Sequence, residues 1–165
     1  MLNQKIITVK SKQAATEIAK MALSDKEIYQ TLLINCESSE IKLAQKSAWV
    51  ISAMFDIDHN FFKPQVKPLW SLLLKNQPSA LERSLIRIVS KFEIPEEIES
   101  VAFDFCMNRL TDTSTAIANR AMAFDIAYKL ATKYPALTQE LKLVIPLLTK
   151  LASPGLMVKV KRFEK

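Results

Sequence analysis

Glycine is almost missing from this chain: Gly155 is the only one in 165 residues. That excludes a phosphate-cradling loop and a dinucleotide fingerprint, which need several glycines for close backbone approach. Tight β-hairpins also want glycine for positive φ, so the fold expected is all-α. Histidine is as scarce. His59 is the sole imidazole, so any Ser-His-Asp or Cys-His arrangement would have to be built on it. Neither Cys36 nor Cys106 lies near it in sequence. Both cysteines fall on apolar faces and read as small core hydrophobes in a reducing compartment, with a disulfide left open. No apolar run approaches bilayer length, and the opening MLNQKIITVKSK has no apolar stretch of the signal-peptide kind. The expectation is a cytoplasmic protein with no membrane partner and no cofactor.

Charge is present but unevenly placed. The formal charge is +6 and the pI about 9.3. Lys5, Lys10 and Lys12 put +3 on residues 1–12, and residues 150–165 carry +4, so residues 13–149 hold −1. A basic footprint for a duplex covers a face of the folded body. Basic ends on a neutral body are weak support for a nucleic-acid partner.

Against these absences stands abundant apolar residue, 49% of the chain, enough for a substantial core. It recurs at helical spacing almost throughout. Leu81, Leu85, Ile88, Val89 and Phe92 form one stripe, and Ile98, Val101, Ala102, Phe105 and Cys106 another. Ser24 with Glu27 and Ser79 with Glu82 have capping-box spacing. Pro95 followed by Glu96 and Glu97 opens a helix with acids at its positive end. Helices are expected near 11–22, 24–36, 40–57, 61–75, 79–92, 95–111, 114–133, 136–152 and 155–163. Pro64, Pro68 and Pro146 fall inside them and should kink a helix or move its start.

The helices pair, at roughly 10–36, 40–75, 79–111 and 115–151, with a short basic helix at 155–163. The pairs repeat. At an offset of 75 residues Trp49 aligns with Phe124, Ile51 with Ile126, Phe55 with Leu130 and Trp70 with Ile145. Val66/Leu141, Leu69/Val144, Leu72/Leu147 and Leu73/Leu148 continue the register. Half of that offset, about 37 residues, lies between the tetratricopeptide and HEAT/armadillo periods.

The stretch 110–148, LTDTSTAIANRAMAFDIAYKLATKYPALTQELKLVIPLL, resembles a HEAT repeat. It has an acidic turn, Arg120 in the first helix, small residues at the helix crossing, an aromatic-Pro turn and a Leu-rich second helix. The resemblance covers about 40–163, and extends to small HEAT-like proteins of bacteria without a defined activity. It implies a single domain over 1–165: an all-α, right-handed superhelix of about four HEAT-like (armadillo-type) helix pairs with a C-terminal cap. Pro68, Pro146 and the short middle loop depart from the pattern.

Candidate chemistry is sparse. Asp56, Asp58 and His59 form a ligand-like trio, but a transition-metal site needs three or four convergent ligands. At a helix end, with His59 in the place of Tyr134, the trio reads as structural. Trp49 and Trp70 would suit base stacking, yet their aligned partners make them core. Arg83, Arg87 and Lys91 make a basic i, i+4, i+8 stripe, read as a solvated face or as polyanion contacts together with Lys159, Lys161 and Arg162. Phe103, Met107, Leu143 and Leu147 lie off the core stripes of second helices. There they are buried between repeats or form an exposed binding patch.

The function this supports is a non-catalytic binding scaffold presenting a concave helical surface to a protein or peptide. Phe103, Met107, Leu143 and Leu147 would anchor the partner and Lys63 and Lys67 would steer it. The alternative is a nucleic-acid-binding protein in the manner of the HEAT-like alkylpurine DNA glycosylases, whose basic, aromatic and carboxylate constellation has no residue-by-residue match here. The all-α lyases of the fumarase/aspartase group carry a Gly-Ser-Ser loop, and Gly155 in SPGLM does not match it.

Overall fold

The computed structural model describes residues 1–75 and 77–165. Among these residues there is no strand; ten α-helices and two 3-10 segments make up the chain. It divides into two compact units, Met1–Phe92 and Glu93–Lys165. That boundary falls inside the third expected pair, 79–111.

The first unit holds α1 (Leu2–Ile7), α2 (Lys12–Ser24), α3 (Lys26–Asn35), α4 (Ile41–Ile57), α5 (Val66–Leu73) and α6 (Ser79–Val89). Helix α4 is its centre and packs against α1, α2, α3 and α6. Small residues let the helices approach: Ala15, Ala19 and Ala22 on α2 and Ala44 and Ala48 on α4 are buried. The volume between them is filled by Ile51, Met54, Leu69, Trp70, Leu81 and Leu85, all fully buried. Each such aliphatic side chain contributes about 1.5–3 kcal/mol through burial.

Three details differ from the sequence expectation. The first is α1. By sequence, residues 1–12 are a basic terminal segment, yet Leu2–Ile7 is helical, Ile6 and Val9 are buried, and Asn35 Nδ2 donates to Asn3 Oδ1 at 2.8 Å. The second is capping. Asp25, not Ser24, caps α3, its Oδ1 accepting from the Glu27 and Ile28 amides at 2.9 and 3.4 Å. Pro78 is the cap position of α6, which puts Ser79 one residue inside the helix. The third is Trp49, which is half-buried rather than core. Its outer face is covered by the Lys46 ammonium, 4.7 Å from the ring centroid.

The prolines act as expected in one place. The helix foreseen over 61–75 becomes a 3-10 segment, Asn60–Gln65, containing Pro64, and α5 starts only at Val66. Pro68 is then the third residue of α5, where a missing amide hydrogen costs no intrahelical bond. Pro146 lies inside α9 (Pro135–Leu151), which runs through it.

The second unit holds a 3-10 turn at Glu96–Ile98, then α7 (Glu99–Thr111), α8 (Ile117–Lys133), α9 and α10 (Pro154–Phe163). Helix α8 is central and packs against α7, α9 and α10. Ala123 and Ala127 are wholly buried on it, beside Phe124. Phe163 of α10 closes over that core, edge-on to Phe124 and Tyr128 at 6.1 and 5.3 Å. Arg120 is 3% exposed, and its Nη2 donates to the carbonyls of Asp112, Thr113 and Thr115 at 3.0, 3.3 and 3.1 Å. It ties the loop before α8 to the helix, satisfying carbonyls that burial would otherwise leave unpaired. The 75-residue repeat is physical: Ile51/Ile126, Phe55/Leu130, Val66/Leu141, Trp70/Ile145 and Leu73/Leu148 are buried at both members.

Candidate functional site

The ligand-like trio is taken up by local structure. Asp58 Oδ1 accepts from the amides of Asn60 and Phe61 at 2.9 and 3.2 Å, forming the turn after α4. Asp56 accepts from Arg87 Nη2. His59 lies against Phe55, ring centroids 4.2 Å apart. Among the described residues no group of three or more His, Cys, Asp or Glu is placed to hold a metal ion. Cys36 and Cys106 are thiols buried one in each unit. Burial pushes the Cys36 thiol up to about 12, with a smaller contribution from nearby Glu37.

The expected basic contacts divide. Arg87 is half-buried and tied down within its stripe. Its Nη1 donates to the Ser52 hydroxyl at 2.6 Å and its Nη2 to Asp56, bracing α6 against α4. Lys159 is likewise engaged, reaching Asp125 and the Ala121 carbonyl from α10. Arg83, Lys91, Lys161 and Arg162 are exposed, as are Lys63 and Lys67. Lys63 and Lys67 belong to the first unit; Phe103, Met107, Leu143 and Leu147 belong to the second.

Within the second unit a cleft of about 510 Å³ opens beside α7 and the α8–α9 turn. Phe103, Tyr134, Ala136 and Leu137 give it an apolar lining, and Glu96, Glu99, Asp104 and Glu140 surround it with carboxylates. Phe103 is only 3% exposed, so it is part of the floor and not a protruding anchor. Glu99 is already matched: Lys133 Nζ donates to one oxygen at 2.7 Å and the Tyr134 hydroxyl to the other at 2.5 Å. These donors hold its carboxyl below the usual carboxylate range, Lys133 first. Glu96, Asp104 and Glu140 have no cationic partner among the described residues.

The α9 face that borders the cleft runs on beyond it. Ala136, Glu140, Leu143 and Leu147 follow i, i+4, i+7, i+11, one face of a helix. Leu143 is 81% exposed on that face, and Leu147 is half-buried. On α7 the matching face is Ser100, Phe103, Asp104 and Met107, and the two helices pack side by side. Sequence reasoning found the four apolar positions. Of the carboxylates it singled out only Glu96, as a helix-start acid, because their convergence depends on helix packing.

A second cavity, about 360 Å³, lies in the first unit and is lined by Phe55, His59, Arg87, Lys91 and Phe92.

Repeated antiparallel helix pairs, small residues at their crossings and an arginine clamping the inter-pair loop are the features of one repeat class, and the HEAT repeat domain family matches residues 1–165. The chain belongs to the HEAT repeat family. The match extends through α1–α3, beyond the 40–163 covered by the sequence resemblance. Nothing among the curated proteins or the solved structures matches the chain significantly. HEAT repeat domains generally act as protein-interaction scaffolds and are generally non-enzymatic. No helix among the described residues of this HEAT protein is long and apolar enough to cross a membrane.

Proposed function

We propose that this HEAT protein is a non-catalytic scaffold whose second unit receives a basic, amphipathic protein segment along α7 and α9. One observation carries the reading: a cleft with an apolar floor is ringed by three carboxylates without a cationic partner, Glu96, Asp104 and Glu140, and the α9 face that carries Glu140 also carries the exposed Leu143. An apolar patch rimmed by polar residues marks an interaction surface. A row of carboxylates selects partners of opposite charge and suppresses acidic ones. The partner's apolar side chains would cover Leu143, Leu147 and Met107 and reach the Phe103 floor. Its lysines or arginines would meet the carboxylates. Steering by Lys63 and Lys67 forms no part of this reading, because the charge at the cleft has the opposite sign.

The test uses two labelled helical peptides with the same leucine pattern, one with lysine and one with glutamate at the polar positions. Fluorescence anisotropy should show saturable binding of the lysine peptide alone. Leu143→Asp should weaken it about tenfold or more, and Glu140→Lys should reduce the charge preference. Equal binding of both peptides, or no response to either substitution, overturns the proposal.

A further inference from the structure

The cavity in the first unit differs in chemistry from the acidic cleft. Three of its five lining residues are rings, Phe55, His59 and Phe92, and the other two are cations, Arg87 and Lys91. The rings already form an aromatic wall: Phe55 lies 4.2 Å from His59 and 6.0 Å from Phe92, centroid to centroid. Phe55 is 4% exposed and fixed in the core, so the wall is rigid. His59 is exposed, which leaves ring surface open to a ligand.

The cations are placed with equal definition. Arg87 is held over Phe55, 5.5 Å from the ring centroid, by the Ser52 hydroxyl and Asp56. Those bonds engage its two terminal nitrogens; Nε has no protein partner among the described residues. Lys91 lies one turn further on and has no carboxylate within ion-pair distance among the described residues. The nearby acids are both occupied, Asp56 by Arg87 and Asp58 by the backbone amides of Asn60 and Phe61. One uncompensated ammonium beside an immobilised guanidinium favours an anion, and Arg in particular favours phosphate oxygens. Rings beside those cations favour a flat group.

We propose that this pocket binds a planar organic phosphate of the mononucleotide class. The phosphate lies against Lys91 and Arg87, and the flat ring against His59. The site lies within the first unit, and its assignment does not rest on peptide binding by the second.

The experiment titrates the full chain with adenosine monophosphate by isothermal calorimetry, with adenosine and inorganic phosphate as separate probes. The mononucleotide should bind saturably, and each fragment at least about tenfold more weakly, because neither engages both halves of the pocket. Lys91→Gln and His59→Ala, both at exposed positions, should each weaken mononucleotide binding about tenfold. Arg83→Gln, one turn before Arg87 on α6 and outside the pocket lining, should leave it unchanged. No saturable binding in the millimolar range, inorganic phosphate binding as tightly as the mononucleotide, or an equal loss in Arg83→Gln would each overturn the assignment.

Discussion

Trp49 and Trp70 occupy equivalent-looking places in the apolar pattern but not in the structure, and that contrast gives a quantitative test. A tryptophan side chain carries about 200 Å² of surface. Trp70 is 0% exposed, so at about 25 cal/mol per Å² its burial contributes about 5 kcal/mol as an upper bound. Truncation leaves a cavity as well, and Trp70→Ala should cost about 3–5 kcal/mol. Trp49 is half-buried under Lys46, so the same arithmetic gives about 2.5 kcal/mol at most, and water can fill the space left. Urea unfolding followed by far-UV circular dichroism reads the difference. With a slope of about 2 kcal/mol per molar, Trp70→Ala should shift the midpoint by about 2 M and Trp49→Ala by about half that or less. Single-tryptophan variants add an independent readout: the protein retaining only Trp70 should emit further to the blue and resist acrylamide quenching. If Trp49→Ala destabilises as much as Trp70→Ala, the burial assigned to these indoles is wrong.

Three further outcomes are expected. Ile6→Ala should destabilise by about 2–4 kcal/mol in a denaturant titration, because Ile6 is fully buried; a change under about 0.5 kcal/mol would mean that α1 does not pack. The Cys36 thiol, pushed up to about 12 by burial, should react with a disulfide reagent at pH 8 only as fast as the protein opens. Since folding raises its value, its contribution to stability is complete below the unfolded thiol's pKa and is lost as pH climbs toward 12. Rapid stoichiometric labelling of the native protein at pH 8 would contradict this. Duplex DNA binding should be weak and salt-sensitive, falling with a log–log slope of about −0.9 per phosphate contact. Replacing Lys161, Arg162 and Lys165 with Gln should remove more of it than Lys159→Gln, because Lys159 is held by Asp125; the reverse order in a salt titration would show that α10 binds through its inner face.

The helices were legible because their information is local. A stripe such as Leu81, Leu85, Ile88 writes its own face, and Ser11, Asp25 and Ser153 place helix starts through bonds spanning two or three residues. Where local signals compete, the sequence is ambiguous. Ser24 and Asp25 are adjacent capping residues, and only the extended backbone at Asp25 decides between them. The segment LNQKIITV carries Leu2, Ile6 and Val9 at helical spacing, but one short turn among lysines is too little signal without α4 to pack against. Trp49 shows the limit of the repeat. Alignment with Phe124 carries over the direction of the side chain, but not the cover above it, which is Phe163 in one place and Lys46 in the other.

Neither cavity could be read in the same way, because each is assembled from positions far apart in the chain. Asp56 and His59 stand out in FDIDHNF as candidate ligands. What changes their meaning is Arg87, 31 residues beyond Asp56, brought to the end of α4 by packing against α6. The carboxylates of the other cleft come from helix starts at Glu96 and Glu99 and from Glu140 on α9. Each is an ordinary solvated acid in its own helix. Helix packing brings these acids and Asp104 of α7 around one cleft. Charge sign at a surface therefore has to be read from the assembled unit: the +6 of the whole chain says nothing about the acidic cleft, which would repel the polyanion that the pI of 9.3 invites.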